Sequence, residues 1–266
     1  MNHYYKTGLL FCIIWICALF GNAQNSIYPD HTIISHGGII RGDTTQKNIA
    51  LVFTADEFGD GDAYILKALK NRKIRGSFFF TGNFYRNPEF TSTIRRLKKD
   101  GHYIGSHSDK HLLYCTWENR DSLLVTKEEF VQDLQNSYLE MENFGIKKSD
   151  APFFLPPYEW YNDSISTWTK EAGLQLINFS SGTRSNADYT YSEMGSKYVS
   201  SDRIMESILK FENSQPNGLN GFILLIHFGT DSRRTDKFYH QLPSLLRQLK
   251  NKGYEFLKIN ELLPFN

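Results

Sequence analysis

The chain has 266 residues, and its 30 basic and 29 acidic side chains give a formal net charge of +1. This balance excludes the large basic surplus that is typical of proteins that bind nucleic acids or anionic membrane surfaces. Apolar residues make up 40% of the chain, which is enough for one large buried core. The composition therefore indicates a globular domain without a nucleic-acid partner.

The first two dozen residues are typical of a secretory signal peptide. Lys6 is the only charged residue before Asp30, residues 8–20 are apolar, and small residues at 21–23 suit a cleavage site. The apolar run is too short to span a bilayer as a helix. A lipid anchor on Cys17 is the weaker alternative, because bulky residues precede it. We predict a signal peptide at 1–23, an N-terminal segment at 24–48, one domain at 49–266, and a secreted or periplasmic protein.

Loss of the signal peptide would also remove Cys12 and Cys17 and leave Cys115 as the last cysteine. A single cysteine excludes an intramolecular disulfide and a zinc site built on cysteines. A metal ion in this chain would therefore need imidazole and carboxylate ligands.

Short apolar segments alternate with amphipathic ones along the rest of the chain. Predicted strands cover residues 50–54, 76–81, 153–155, 174–179, 222–227 and 254–259. Predicted helices cover residues 63–71, 91–99, 164–172, 202–211 and 242–250, with a longer helix from a capping box at Thr126 and Glu129 to about Gly145. This alternation predicts parallel pairing and an α/β fold, namely a distorted (β/α) barrel of about seven parallel strands.

Three polar groups follow predicted strands. Asp56 and Glu57 follow the first strand, His107 and His111 lie four residues apart in the middle of the chain, and His227 ends an apolar strand. The spacing of His107 and His111 would place both imidazoles on one face of a helix. Carboxylates, paired histidines and a distant histidine together favour metal-assisted hydrolysis.

In this order the segments resemble the polysaccharide deacetylases with a NodB-homology domain, carbohydrate esterase family 4. The resemblance covers about Ile49 to Leu262. It rests on Thr54-Ala55-Asp56-Glu57, Gly101-His102-Tyr103-Ile104-Gly105-Ser106-His107 with His111, Leu155-Pro156-Pro157-Tyr158, residues 182–186, and Leu225-Ile226-His227.

The resemblance implies a NodB-like catalytic domain at 49–266 and one divalent metal ion. His107 and His111 are its expected imidazole ligands, and Glu57 is the expected acidic ligand, with Asp60 as a rival. Two imidazoles and a carboxylate suit Zn²⁺ best.

The resemblance also assigns the catalytic roles. Asp56 is the expected general base, and His227 is the candidate general acid. Tyr158 would direct its backbone N–H at the developing oxyanion, on a loop stiffened by Pro157. Separately from the resemblance, the candidates for packing against sugar rings are Trp117, Tyr114, Trp160 and Tyr161.

Three departures from the family pattern affect the expected chemistry. Glu57 is one methylene longer than the family's aspartate. Leu155 stands where the family has an arginine that pairs with the catalytic aspartate. We expect a substitute cation such as Arg184; the alternatives are that the metal alone keeps Asp56 charged, or that activity is low. The fourth block, at 182–186, lacks the family's aspartate and tryptophan, although Arg184 and Asp188 lie close by.

The sequence therefore predicts a metal-dependent hydrolase that removes N-acetyl or O-acetyl groups from a carbohydrate polymer or oligomer. One alternative is a carbohydrate-binding NodB-like protein with impaired catalysis. Another is a metal hydrolase of a non-sugar amide, because one fold hosts several chemistries.

Overall fold

The structure, a computed structural model, describes residues 31–263. The predicted signal peptide lies outside the described residues, and both it and the predicted secretion stay predictions. Within residues 31–263, no helix combines the length and the apolar character that a membrane span requires.

One sheet contains the nine strands found in the described part of the chain. The strands are β1 (Ile33–Ser35), β2 (Gly38–Arg41), β3 (Asn48–Ala55), β4 (Ser77–Phe80), β5 (Tyr103–Ser106), β6 (Phe153–Phe154), β7 (Gln175–Leu176), β8 (Phe222–His227) and β9 (Glu255–Leu257). The α-helices are α1 (Asp62–Arg72), α2 (Gly82–Arg86), α3 (Thr91–Lys99), α4 (Lys127–Glu142), α5 (Asp163–Glu171), α6 (Ser201–Ser214), α7 (Leu242–Asn251) and α8 (Ile259–Leu262).

The sheet curls into a distorted barrel, as the alternation of strands and helices predicts. Its strand order is β1-β2-β8-β3-β4-β5-β6-β7, and β9 pairs with the first half of β3. Strands β3 to β9 pair in parallel, whereas β2 runs antiparallel to β8. A parallel bridge between Ile39 and Ile177 brings β2 next to the end of β7 and joins the two ends of this order.

The register of the central strands aligns the points at which the chain leaves the sheet. Ala55 pairs with Phe80, Phe80 with Ser106, and Ser106 with Phe154. On the other side of β3, Thr54 pairs with His227. The segments that follow β3, β4, β5, β6 and β8 therefore start side by side at the carboxyl edge of the barrel, where such folds build their sites.

Consecutive apolar residues explain why these segments form buried strands. All four residues of β4 are buried, and all of β3 except Asn48 is buried, as expected for parallel strands covered on both faces. Phe53 stacks on Phe78 at 4.9 Å between ring centroids, and Phe84 stacks on Phe80 at 4.2 Å. Each fully buried phenylalanine stabilises the fold by about 1.5–3 kcal/mol, so this core holds the carboxyl edge rigidly.

Several elements differ from the sequence-based expectations, and strand β5 and helix α2 are absent from the predicted set. Residues 33–41, which fall in the predicted N-terminal segment, form the hairpin of β1 and β2 and belong to the same sheet. The predicted strands at 174–179 and 254–259 are shorter, at Gln175–Leu176 and Glu255–Leu257. Both short strands pair with only a few residues of a neighbour, so hydrogen bonding ends before the apolar pattern does.

Helix α4 begins at the capping box that its sequence predicts, and it packs against β5, the strand that leads to the paired histidines. The Thr126 side chain accepts a hydrogen bond from the Glu129 N–H, and the Glu129 carboxylate accepts one from the Thr126 N–H. The predicted apolar face is buried, and it also carries a buried carboxylate, that of Asp133. Because α4 packs beneath β5, this carboxylate lies close to the segment that contains the paired histidines.

Candidate active site

His107 follows β5 directly and is held in a single tautomer. Its Nδ1 lies 2.8 Å from the Leu155 carbonyl oxygen, which can only accept, so Nδ1 carries the proton. Burial lowers the pKa of His107 well below its ordinary value, and the nearby His111 acts in the same direction. The imidazole is therefore neutral near pH 7, and its Nε2 lone pair is available to a ligand.

His111 lies near His107, but not on a helix. No residue from 107 to 114 is helical, and Ser108 and His111 have left-handed backbone angles, with φ of 76° and 54°. The prediction of a shared helical face is therefore wrong. The two ring centroids are still only 5.1 Å apart, because the loop turns back on itself. Burial also lowers the pKa of His111, although the charge of Asp56 opposes this.

The Asp133 carboxylate of α4 holds this loop in place. Its carboxylate accepts hydrogen bonds from the backbone N–H groups of Asp109 and Lys110, at 3.1 and 2.9 Å, and from the Tyr114 hydroxyl at 3.2 Å. Backbone N–H groups held this way cannot enter a helical ladder. The sequence analysis does not single out Asp133, although a charged residue on the apolar face of α4 was a usable signal.

Asp56 is placed next to the histidine pair. Its Oδ1 accepts hydrogen bonds from the Thr81 hydroxyl at 2.7 Å and from the Asn83 amide at 3.1 Å. Its Oδ2 lies 4.0 Å from Nδ1 of His111. The carboxylate therefore has one oxygen that is held and one that faces the site.

Glu57 and Asp60 differ in how their carboxylates are engaged. Asp60 accepts hydrogen bonds from the Thr230 N–H, the Tyr239 hydroxyl and the Lys237 ammonium group at 2.7–2.8 Å, so it ties two loops together. Glu57 is exposed, and no donor among residues 31–263 reaches its carboxylate. Of the two, Glu57 has the carboxylate that is free to bind a ligand.

Asp188 supplies a carboxylate to His227. One oxygen of Asp188 lies 2.6 Å from Nδ1 of His227, and the other accepts a hydrogen bond from the His227 N–H at 2.9 Å. Burial acts to lower the pKa of His227, but the charge and the hydrogen bond of Asp188 outweigh it, so the pKa is raised above the ordinary value. The aspartate that pairs with His227 therefore lies just beyond the expected range of 182–186.

Tyr158 lies on the loop that faces His111. Its backbone is left-handed, with φ of 58°, and follows the rigid Pro157. Its ring centroid is 4.4 Å from that of His111, and its N–H donates to no acceptor within residues 31–263. A strained residue with an unused donor at the rim of a site is suited to hold a substrate oxygen.

Two exposed aromatic rings and a half-buried one extend from the site along one side, whereas the candidates Tyr114 and Tyr161 are buried in the core. Trp117 is 55% exposed and Tyr158 is 44% exposed, with 5.7 Å between their ring centroids. Trp160 lies behind Trp117 at 5.6 Å, and the Arg120 guanidinium covers its ring at 3.6 Å. We call Trp117, Tyr158 and Trp160 the aromatic platform.

Arg184 does not pair with Asp56 in the described part of the chain, so it is not the substitute cation that the sequence analysis expects. It is exposed, and none of the ion pairs within residues 31–263 includes it. The Leu155 side chain is fully buried, while its carbonyl holds His107. Asp56 instead receives its hydrogen bonds from the neutral Thr81 and Asn83.

The donor set at this edge fits a metal ion by its chemistry. Residues 31–263 contain no group of three His, Cys, Asp or Glu side chains that already converges as around a bound ion. His107 and His111 are nevertheless neutral and adjacent, and the carboxylate of Glu57, the residue after Asp56, has no competing donor within residues 31–263. Neutral imidazoles with one carboxylate are the ligands of catalytic zinc sites.

A sequence profile described as polysaccharide deacetylase matches residues 41–177, which is more than half of the chain. The chain belongs to the polysaccharide deacetylase family. The match ends before Asp188 and His227, so the pairing of these two residues comes from the structure alone.

Curated relatives of this family member cover most of its length. It is 27% identical over 222 residues to a peptidoglycan-N-acetylglucosamine deacetylase of Bacillus cereus, across 83% of this chain and 90% of that protein. It is 26% identical over 222 residues to the peptidoglycan-N-acetylmuramic acid deacetylase PdaA of Bacillus subtilis, across 84% of this chain and 73% of that protein.

Solved structures of the family share the fold of this deacetylase-family chain. A pseudoenzyme of carbohydrate esterase family 4 from Bacillus anthracis superposes with a TM-score of 0.66 at 18% identity, across 86% of this chain and 69% of that one. The distorted barrel is thus the fold of this family.

Replacement of Asp133 should loosen the histidine loop. The Asp133→Ala change leaves the N–H groups of Asp109 and Lys110 without their acceptor, which costs about 2–4 kcal/mol. We expect this loss in urea unfolding, whereas Gln132→Ala, an exposed neighbour on α4, should stay within about 0.5 kcal/mol of the parent protein. Equal stability of both variants would contradict the role given to Asp133.

Replacement of Asp188 should shift the pH dependence of any reaction that uses protonated His227. Because the charge and the hydrogen bond of Asp188 raise the pKa of His227, Asp188→Asn should lower this pKa. Activity that needs the protonated ring is lost as the pH rises through this pKa, so the alkaline limb of kcat/KM should move to lower pH. A pH–rate profile measures this, and an unmoved alkaline limb would exclude His227 as the acid.

Proposed function

We propose that this protein is a metal-dependent deacetylase that hydrolyses the N-acetyl amide of a carbohydrate. One observation carries the proposal. A carboxylate beside two neutral imidazoles and a histidine with a raised pKa lie at the same edge of the barrel. A base and an acid on one site match the two proton transfers that amide hydrolysis requires.

His107, His111 and Glu57 would hold the metal ion. His107 offers Nε2 because the Leu155 carbonyl occupies Nδ1, and the Glu57 carboxylate has no donor within residues 31–263 that would compete. When bound, a divalent ion such as Zn²⁺ acts as a Lewis acid toward the acetyl oxygen and acidifies the attacking water. The identity of the ion as zinc is part of this proposal.

The protein groups supply proton transfer and orientation. Asp56 accepts the proton of the attacking water through Oδ2, because Oδ1 is held by Thr81 and Asn83. His227 donates its Nε2 proton to the leaving nitrogen, since Nδ1 is engaged by Asp188. The Tyr158 N–H stabilises the negative charge that develops on the acetyl oxygen.

The substrate class follows from the aromatic platform and from the relatives. Exposed aromatic rings beside a catalytic edge give flat apolar surfaces on which pyranose rings pack. Both curated relatives carry names of enzymes that remove acetyl groups from amino sugars of peptidoglycan. These names support an amide substrate over an ester, and a glycan over a simple amide.

A binding protein with impaired catalysis is the second candidate, and the Leu155 substitution favours it. A structural neighbour described as a pseudoenzyme shows that this fold also occurs without activity. The paired Asp188 and His227 count against this reading, because a binding protein has no need of a histidine with a raised pKa. Acetate release from acetylated glycans separates the two candidates.

His107→Ala should remove metal binding and acetate release together. The change deletes one of the two neutral imidazoles that would hold the ion. Isothermal titration with Zn²⁺ and an acetate assay on N-acetylated oligosaccharides measure both effects. His240→Ala, which removes an exposed histidine, is the matched control and should retain both. Metal binding by the parent protein without acetate release from any glycan would favour the binding protein, and activity in His107→Ala would contradict the mechanism.

Trp117→Ala should weaken the binding of glycan chains without impairing the chemical step. Loss of one stacking surface corresponds to a rise in KM of about 3- to 10-fold, with kcat nearly unchanged. The rise should be larger with an N-acetylated oligosaccharide than with N-acetylglucosamine itself, because Trp117 lies one ring beyond Tyr158, the ring that contacts His111. Equal effects on both substrates would contradict the platform as a binding surface for neighbouring sugars.

A further inference from the structure

Because Leu155 stands in place of the expected arginine, other groups must hold the Asp56 carboxylate. A buried leucine cannot donate a hydrogen bond, and no arginine or lysine forms an ion pair with Asp56 within residues 31–263. The structure provides two neutral donors instead, the Thr81 hydroxyl and the Asn83 amide, and both bind Oδ1. They belong to the first turn of α2 and its N-cap, which follow β4, the strand next to β3.

The Thr81 hydroxyl has its direction fixed. Its oxygen accepts a hydrogen bond from the Phe84 N–H at 3.2 Å, as the cap of α2. The hydroxyl hydrogen is therefore left to point at Asp56, 2.7 Å away. Thr81 is fully buried, so this donor is not exchanged with solvent.

The Asn83 amide has its direction fixed by Arg86. The guanidinium donates to Oδ1 of Asn83 at 2.8 Å, and this leaves Nδ2 of Asn83 to donate to Asp56 at 3.1 Å. Arg86 is held in turn by Asp109 at 2.5 Å and by Glu140 of α4 at 3.3 Å. A chain of hydrogen bonds thus runs from a cation to the carboxylate of Asp56.

The backbone of α2 is attached to the histidine loop. The Gly82 N–H donates to the Ser108 carbonyl at 3.0 Å, and the Asn83 N–H donates to the Asp109 carbonyl at 3.2 Å. A Cβ atom at Gly82 would lie 1.8 Å from the Asp109 carboxylate, so only glycine permits this approach. The position of Asn83 is therefore fixed relative to both Asp56 and His111.

We infer that Asn83, oriented by Arg86, is a positioning residue that takes the place of the arginine absent at Leu155. With Thr81 it fixes Oδ1 of Asp56, so that Oδ2 faces His111 and the reacting water. The inference rests on the proposed function for its kinetic consequences, but the orientation of Asp56 can be measured without any activity.

The Asn83→Asp change is the sharpest test, because it keeps the size of the side chain and reverses the interaction. A carboxylate oxygen would face Oδ1 of Asp56 at about the same distance, and like charges repel. We expect kcat to fall by about 10-fold in Asn83→Ala and further in Asn83→Asp, with KM unchanged. Asn213→Asp, an exposed asparagine at the end of α6, is the matched control and should keep the parent kcat.

Arg86 is tested through a double-mutant cycle. If it acts through Asn83, Arg86→Lys should lower kcat alone but add little in the Asn83→Ala background. Additive losses would show that Arg86 acts through Asp109 instead, and would overturn its part in the inference. A fall in kcat that is equal in Asn83→Ala and Asn83→Asp would overturn the electrostatic reversal on which the inference depends.

A crystal structure of the Asn83→Ala protein tests the inference independently of catalysis. The Asp56 carboxylate should rotate away from the orientation in which Oδ2 lies 4.0 Å from His111. An unchanged Asp56, held by Thr81 alone, overturns the inference whether or not the protein is active. An inactive parent protein whose Asp56 does rotate in the variant contradicts the proposed function and leaves the positioning role intact.

Discussion

The hydrogen-bonded register of the parallel strands is the constraint on which the site depends. Because Ala55, Phe80 and Ser106 pair with one another across β3, β4 and β5, the residues that follow them start from one line at the carboxyl edge. A slip of one residue would turn every side chain of a strand to the opposite face. Asp56 and His107 would then be separated, although the sequence and its chemistry were unchanged.

The pKa values of His107 and His227 are shifted in opposite directions because the partners of their Nδ1 atoms differ. His107 and His227 are both buried, and burial alone favours the neutral ring at each. The Nδ1 of His107 meets a backbone carbonyl, which carries no charge, so the ring stays neutral and suits a metal ion. The Nδ1 of His227 meets the carboxylate of Asp188, which stabilises the cation. The partner of Nδ1 thus decides the direction of the pKa shift, which suits the ligand role proposed for His107 and the acid role proposed for His227.

Neighbouring groups make hydrogen bonds at the positions where the chain departs from the family pattern. Leu155 has no cationic side chain, unlike the arginine expected at this position, but its backbone carbonyl binds Nδ1 of His107. Asp188 lies further along the chain than the family block, yet it reaches His227 because a short turn brings it to the end of β8. Such replacements are possible because a hydrogen bond requires only that the donor and the acceptor meet in space. Residues from different parts of the chain can reach the same point in the site.

The sequence by itself determined the elements and the residue types of the site. Apolar runs, the capping box at Thr126 and the order of the histidines depend on near neighbours, and local patterns encode them. Only the tertiary structure decided that His107 and His111 lie on a loop, because the Asp133 carboxylate that captures this loop is 24 positions from Asp109. The pairing of His227 with Asp188, 39 positions apart, has the same origin. Contacts between distant residues exist only once the chain has folded.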